Sequence, residues 1–151
     1  MERPFVAENA KERERLKALV AQITNEELRL PLYEEGWTVS VALAHLAFWD
    51  QRALALMKKW AKNGVTISPA DGEIINNALI PVLKRIPPKA AAKLAVSSAE
   101  AIDKELKEAP SELITAIQST EGSPARLYRS IHRKIHLDAI EALLKNRRAK
   151  K

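Results

Sequence analysis

Residues 36–54, "GWTVSVALAHLAFWDQRAL", decide the fold. Thr38 is an N-cap residue type standing ahead of a long run that contains neither Gly nor Pro. The run continues to about Ala61 and meets a stop at Asn63-Gly64. One amphipathic helix of more than twenty residues is the expected outcome. Val41, Ala42, Phe48, Trp49 and Leu56 mark its inward face, and His45 falls among them.

Working outward, the same 3.6-residue period recurs three more times. A first helix is expected from about Glu8 to Leu28, with Leu16, Leu19, Val20, Ile23 and Leu28 as its stripe. A third is expected from about Pro88 to Ala109, with Pro88 or Lys89 in its first turn. A fourth should be capped by Ser123, start at Pro124 and reach about Lys145. Residues 63–87 form a long connection, with loop chemistry at "SPADG" and a short helix around Glu73–Leu79. A helical turn is also expected at 111–118. Four helices of about twenty residues predict an all-α, four-helix bundle. A link of about 25 residues can cross the bundle and set the second and third helices parallel, but spacing alone leaves their direction open.

Composition agrees. Gly is scarce at 4, whereas Ala, Leu, Lys and Glu abound, a balance that favours helices. One domain over residues 1–151 is expected. No apolar run approaches 18 residues, so no membrane span is expected. "MERPFVAENAKERERL" has no apolar signal region, and the cytoplasm is the expected compartment. With no Cys, disulfides, thiolate catalysis and Cys–zinc sites are excluded. Part of the +6 net charge lies in "KNRRAKK", 145–151, read as a solvated basic tail after a helix end. No groove-reading motif accompanies it, so a nucleic-acid partner is not expected.

The chemistry sits in "RSIHRKIHLDAI", 129–140. His132 and His136 are one turn apart on one helix face. On a helical wheel Leu127, Tyr128, Ile131, Ile135, Ala139, Ile140 and Leu143 form an apolar arc. Arg126, Arg129, Ser130, Arg133, Lys134, Asp138 and Glu141 form the opposite one. Both histidines fall on the apolar side, as His45 does on its own helix. All three histidines of the chain are therefore expected to point inward. Core histidines need a partner for each ring nitrogen, and no acidic partner is evident here. A divalent metal takes neutral imidazoles as ligands and removes that cost. Three ligands leave a coordination position open to water or substrate, where structural zinc is closed by four.

These residues resemble a known family. "GWTVSVALAHLAFWDQRAL", the Pro-Pro start of the third helix and "RSIHRKIHLDAI" are similar to the DinB-like superfamily. That superfamily includes the YfiT-like proteins and the N-terminal domain of mycothiol-dependent maleylpyruvate isomerase. The resemblance covers nearly the whole chain. It implies a DinB-like four-helix bundle with a crossover between helices two and three. It also implies a divalent metal, commonly zinc or nickel, on His45, His132 and His136, and a homodimer. The isomerase branch is similar to an ExxxH pattern where this chain has His132.

Other candidate residues follow from position. Asp50 is near His45 and is considered as a general base, although at i+5 it sits to one side. Arg52, at i+7, faces the same way and suits an anionic substrate or a thiol-cofactor carboxylate. Trp37, Trp49 and Tyr128 are candidates to line a pocket. Glu73, Asn76 and Asn77 lie on the crossover, which can cover the site. The leading expectation is a metal-dependent transferase or isomerase that uses a low-molecular-weight thiol on an unknown small-molecule substrate. A metal-dependent hydrolase and a non-enzymatic, metal-stabilised stress-response or binding protein are the alternatives.

Overall fold

The computed structural model describes residues 1–34, 36–120 and 124–150. Its helices are α1 (Pro4–Gln22), α2 (Asn25–Leu28), α3 (Val39–Asn63), α4 (Gly72–Leu83), α5 (Pro88–Glu108), α6 (Ser111–Thr120) and α7 (Ser130–Ala149). A 3-10 turn covers Pro124–Arg126. The described residues contain no strand, only an isolated bridge between Pro31 and Thr38.

Local chemistry sets the boundaries. Thr38 caps α3 as expected, its side chain accepting from the Val41 N–H at 3.1 Å. Gly64 ends α3 with φ near 87°, a conformation that suits glycine, and its N–H bonds the Trp60 carbonyl at 2.9 Å. The expected first helix is two helices. Ile23 turns extended, and Thr24 opens α2 with a capping box in which Thr24 and Glu27 bond each other's backbone. On the crossover, α4 is longer than the expected Glu73–Leu79 and runs through Pro81. The fourth helix starts later than expected. Pro124 begins only a 3-10 turn, and α7 opens at Ser130, whose N–H donates to the Asn9 side chain at 2.9 Å. Asn9 also donates to the Leu127 carbonyl at 2.8 Å, so a residue of α1 sets the start of α7. The expected Ser123 cap lies outside the described residues. At its far end α7 continues to Ala149, with Arg147 and Arg148 paired to Glu26 and Glu27 of α2.

The long helices α1, α3, α5 and α7 form the bundle. Arg13 pairs with Asp103 and Lys17 with Glu100, while Arg3 reaches the Leu106 carbonyl, so α1 and α5 are antiparallel. His45 meets His132 whereas Asp50 meets Arg129, so α3 and α7 are antiparallel too. Asn9 against Ser130 and Arg15 against Asp138 make α1 and α7 parallel. It follows that α3 and α5 run the same way, and the link carrying α4 is the crossover. The core agrees. Val39, Ala42, Leu43 and Leu46 of α3 cluster with Ala92, Ala95 and Ala99 of α5. Ala53, Met57 and Trp60 cluster with Ile102, Leu106 and Ala109. Small residues along both helices allow their backbones to approach closely.

The wheel expected for the last helix is rotated. Ile131 and Ile135 are 45% and 58% exposed, whereas Arg133 is 1% exposed and Arg129 and Ser130 are buried. The cause is a buried ion cluster. Arg133 donates both Nη atoms to Asp103 at 2.8 Å and one of them to Asp50 at 3.3 Å. Its Nη1 also reaches the Asn9 carbonyl at 3.1 Å. Arg129 Nε donates to Asp50 at 3.0 Å, and Arg13 completes the set on Asp103. With that much satisfaction a guanidinium is tolerated where hydropathy would place an isoleucine.

Candidate metal centre

Despite the antiparallel setting, His45 meets His132 and His136, all three lying within the first two turns of α3 and α7. Their inward Nε2 atoms face each other. His132 Nε2 lies 2.9 Å from His45 Nε2 and 3.2 Å from His136 Nε2. All three potential donor atoms lie within 4.8 Å of one another. A tetrahedral ion with metal–nitrogen bonds of about 2.0–2.1 Å needs its ligand nitrogens about 3.3 Å apart. The triad is close to that spacing. Three imidazole nitrogens converging on one point also present more lone pairs than a shared proton can satisfy, which a divalent cation resolves.

The electrostatics point the same way. Burial lowers His45 to about 4, with neighbouring His136 adding to the effect. Burial also takes His136 to about 4. His132 is lowered to about 2, first by burial, then by the other two histidines and by Arg129 and Arg133 behind it. Near pH 7 all three rings are therefore neutral, the form that binds metal. The other ring nitrogen of His136, Nδ1, lies 2.7 Å from the Tyr33 hydroxyl. Tyr33 is itself raised above its usual phenol range by burial, so it stays protonated. An outer partner of this kind fixes the ring and its tautomer in metal-binding histidines.

The triad floors an open cleft of about 480 Å³. Tyr33, Glu34 and Trp37 of the loop before α3 form one wall, Asn76 of α4 another, and Ile135 of α7 lies on the rim. Trp37 stacks on His136 at 6.2 Å and meets His45 edge-on at 5.0 Å. Gly36 permits this loop: its φ is near 89°, and a Cβ there would lie 3.0 Å from Ile80 of α4.

Of the other sequence candidates, Trp37 and Asn76 line the cleft, and Trp49 lies behind it, its indole donating to the Asn76 carbonyl oxygen at 2.9 Å. Asp50 is held in the ion cluster by Arg129 and Arg133 and does not line the cleft. Arg52 bonds Ser68 at 3.0 and 3.1 Å with its guanidinium 5.8 Å above Trp49, also away from the cleft. Tyr128 packs edge-on to Phe5 in a separate cluster. Glu73 and Asn77 are exposed on α4 and are not among the lining residues. Sequence reasoning missed Tyr33 and Glu34. Their signal was position alone, in "LYEEGW" directly ahead of the His45 helix.

Residues 10–134 match the family model described as mycothiol maleylpyruvate isomerase N-terminal domain. The chain belongs to this family. The resemblance read from the sequence and the DinB-like helical bundle are thereby shown. No curated protein and no solved structure matches the chain. Within the mycothiol maleylpyruvate isomerase N-terminal domain match lie His45, His132, Tyr33 and Asn76, and His136 falls two positions past its end. The described residues contain one group of His, Cys, Asp or Glu side chains spaced to hold a metal ion, the histidine triad. No helix among them is long and apolar enough to cross a membrane.

Proposed function

We propose that this chain is a divalent-metal-dependent enzyme that acts with a low-molecular-weight thiol, mycothiol being the one in its family's name. The observation that carries the reading is the convergence of three neutral imidazole nitrogens, 2.9 and 3.2 Å apart, at the floor of an open cleft. His45, His132 and His136 would hold the ion. When bound, a zinc or nickel ion supplies a Lewis-acidic position at which a thiol loses its proton readily.

The chain's own residues supply the remainder. Burial of the triad keeps the rings unprotonated and ready to bind. Tyr33 orients His136 through Nδ1. Trp37 shields one side of the triad from water, packing on both His45 and His136. Glu34 is the one carboxylate among the described residues that line the cleft, and it is assigned the thiol proton. The volume of about 480 Å³ suits a small-molecule ligand.

The test is the metal content of untagged protein, by elemental mass spectrometry, for wild type and His132→Ala. The proposal expects about one equivalent of a divalent transition metal in the wild type and none in the variant. Adding mycothiol to cobalt-loaded protein should then change the visible spectrum. A metal-free wild type that also fails to take up cobalt or zinc would overturn the metal centre. Cobalt-loaded protein indifferent to mycothiol, bacillithiol and glutathione would overturn the thiol.

A further inference from the structure

Asn76 is a side chain whose two ends are assigned by its surroundings. An indole N–H can only donate, so the atom 2.9 Å from Trp49 Nε1 must be the amide oxygen. The amide nitrogen is then the free end. Among the described residues it donates to no protein acceptor. Asn76 is half-buried and lines the cleft floored by His45, His132 and His136. On its helix Ile75, Leu79 and Ile80 are half-buried, whereas the neighbouring Glu73 and Asn77 are exposed and do not line the cleft. A polar donor held in a fixed orientation by a tryptophan, facing a cleft, is arranged for a ligand that accepts.

From this geometry we infer that Asn76 is a specificity-determining residue. Its amide N–H donates to a second acceptor atom of whatever ligand occupies the open position above the triad. The site therefore selects ligands with two neighbouring acceptors, one for the metal and one for Asn76, such as a carboxylate or an α-oxo acid. A ligand with a single donor atom forgoes the bond. Ile135, 58% exposed on the rim, adds an apolar contact for the body of such a ligand. Trp49 is a positioning residue in this scheme, because it acts only by orienting the amide.

This inference rests on the metal reading above, and the experiment separates the two. Cobalt is titrated into wild type, Asn76→Ala and Asn76→Asp. Acetate and methanethiol are then titrated into each cobalt-loaded protein, followed by the visible absorption of the ion. Cobalt uptake by the wild type and Asn76→Ala should be alike. Acetate should bind Asn76→Ala about tenfold more weakly than wild type, the scale of one hydrogen bond. It should bind Asn76→Asp more weakly still, because an acceptor has replaced the donor. Methanethiol, with one donor atom, should bind wild type and Asn76→Ala equally. Equal acetate affinity in wild type and Asn76→Ala would overturn the role of Asn76 while leaving the metal centre intact. Equal losses for acetate and methanethiol would overturn it too, because they would report a general change in the site. Failure of the wild type to take up cobalt would overturn the metal centre and this inference with it.

Discussion

Replacing Arg133 with Met tests the ion cluster that rotates α7. The guanidinium donates twice to Asp103 at 2.8 Å, once to Asp50 at 3.3 Å and once to the Asn9 carbonyl at 3.1 Å, so it ties α7 to three other helices. Removing one partner of a buried ion pair costs about 3–5 kcal/mol, because the other charge is stranded. Here neither aspartate is left alone. Asp103 keeps Arg13 at 2.8 Å and Asp50 keeps Arg129 at 3.0 Å. The lower end of the range, about 3 kcal/mol, is therefore expected. Met has an unbranched stem of similar reach, which keeps the cavity contribution small. For a chain of this length the melting midpoint should fall by about 6–12 °C. The measurement is urea and thermal unfolding with a chelator present, so that metal binding does not mask the loss. Asp103→Asn added to Arg133→Met should recover part of it by removing a buried carboxylate that has lost one of its two guanidinium partners, and the double-mutant cycle should show a coupling above about 1 kcal/mol. A loss under about 1 kcal/mol, or strict additivity, would refute the claim that the cluster is buried and coupled.

Zinc at a hundredfold excess over its dissociation constant should stabilise the protein by about 2.7 kcal/mol, an upward shift of about 5–10 °C that His45→Ala abolishes in a melting assay. The metal-free protein should lose stability in acid. Folding holds His45 and His136 at about 4, below their ordinary 6.5, so between those values the unfolded chain binds more protons. That contribution is complete above about pH 6.5 and lost as pH falls towards about 4, so a urea midpoint unchanged between pH 7 and 5 would contradict it. Tyr33→Phe should weaken zinc binding about 10–100-fold in a competition titration, through the lost bond to His136 Nδ1, with the helical circular dichroism unchanged.

The bundle was legible where one residue type has one strong local effect. Thr38 caps, Gly64 stops, and Pro88 starts helices as such residues do, and the three histidines expected to point inward do lie together. Where the decisive partner is distant in sequence, reading failed. Asn9 sets the beginning of α7 from more than a hundred residues away, so Pro124 looked like a start. Arg129 and Arg133 were assigned to solvent because hydropathy sees each residue alone and cannot see Asp50 and Asp103 waiting for them. The same misreading turned Ile131 and Ile135 inward. Tyr33 and Glu34 enter the cleft through a loop turned by Gly36, a path that periodicity does not describe. Asp50 and Arg52 share a helix with His45, but the structure commits them to Arg129, Arg133 and Ser68 instead of the cleft.

His132 and Arg133 are consecutive, so their side chains leave α7 about 100° apart. One is committed to His45 on α3 and the other to carboxylates on α3 and α5. Two bearings on one axis fix both its angle and its height. Sliding α7 by one turn, about 5.4 Å, would take Arg133 out of reach of Asp103 and His132 out of reach of His45 together. The sequence also carries a rival setting, the one with Ile131 and Ile135 turned inward, which would bury more hydrocarbon while leaving Asp50 uncompensated and Asp103 with Arg13 alone. The cluster beneath the histidines thus works as a keyway: it admits the last helix in one orientation and holds both of its imidazoles aimed at the same point.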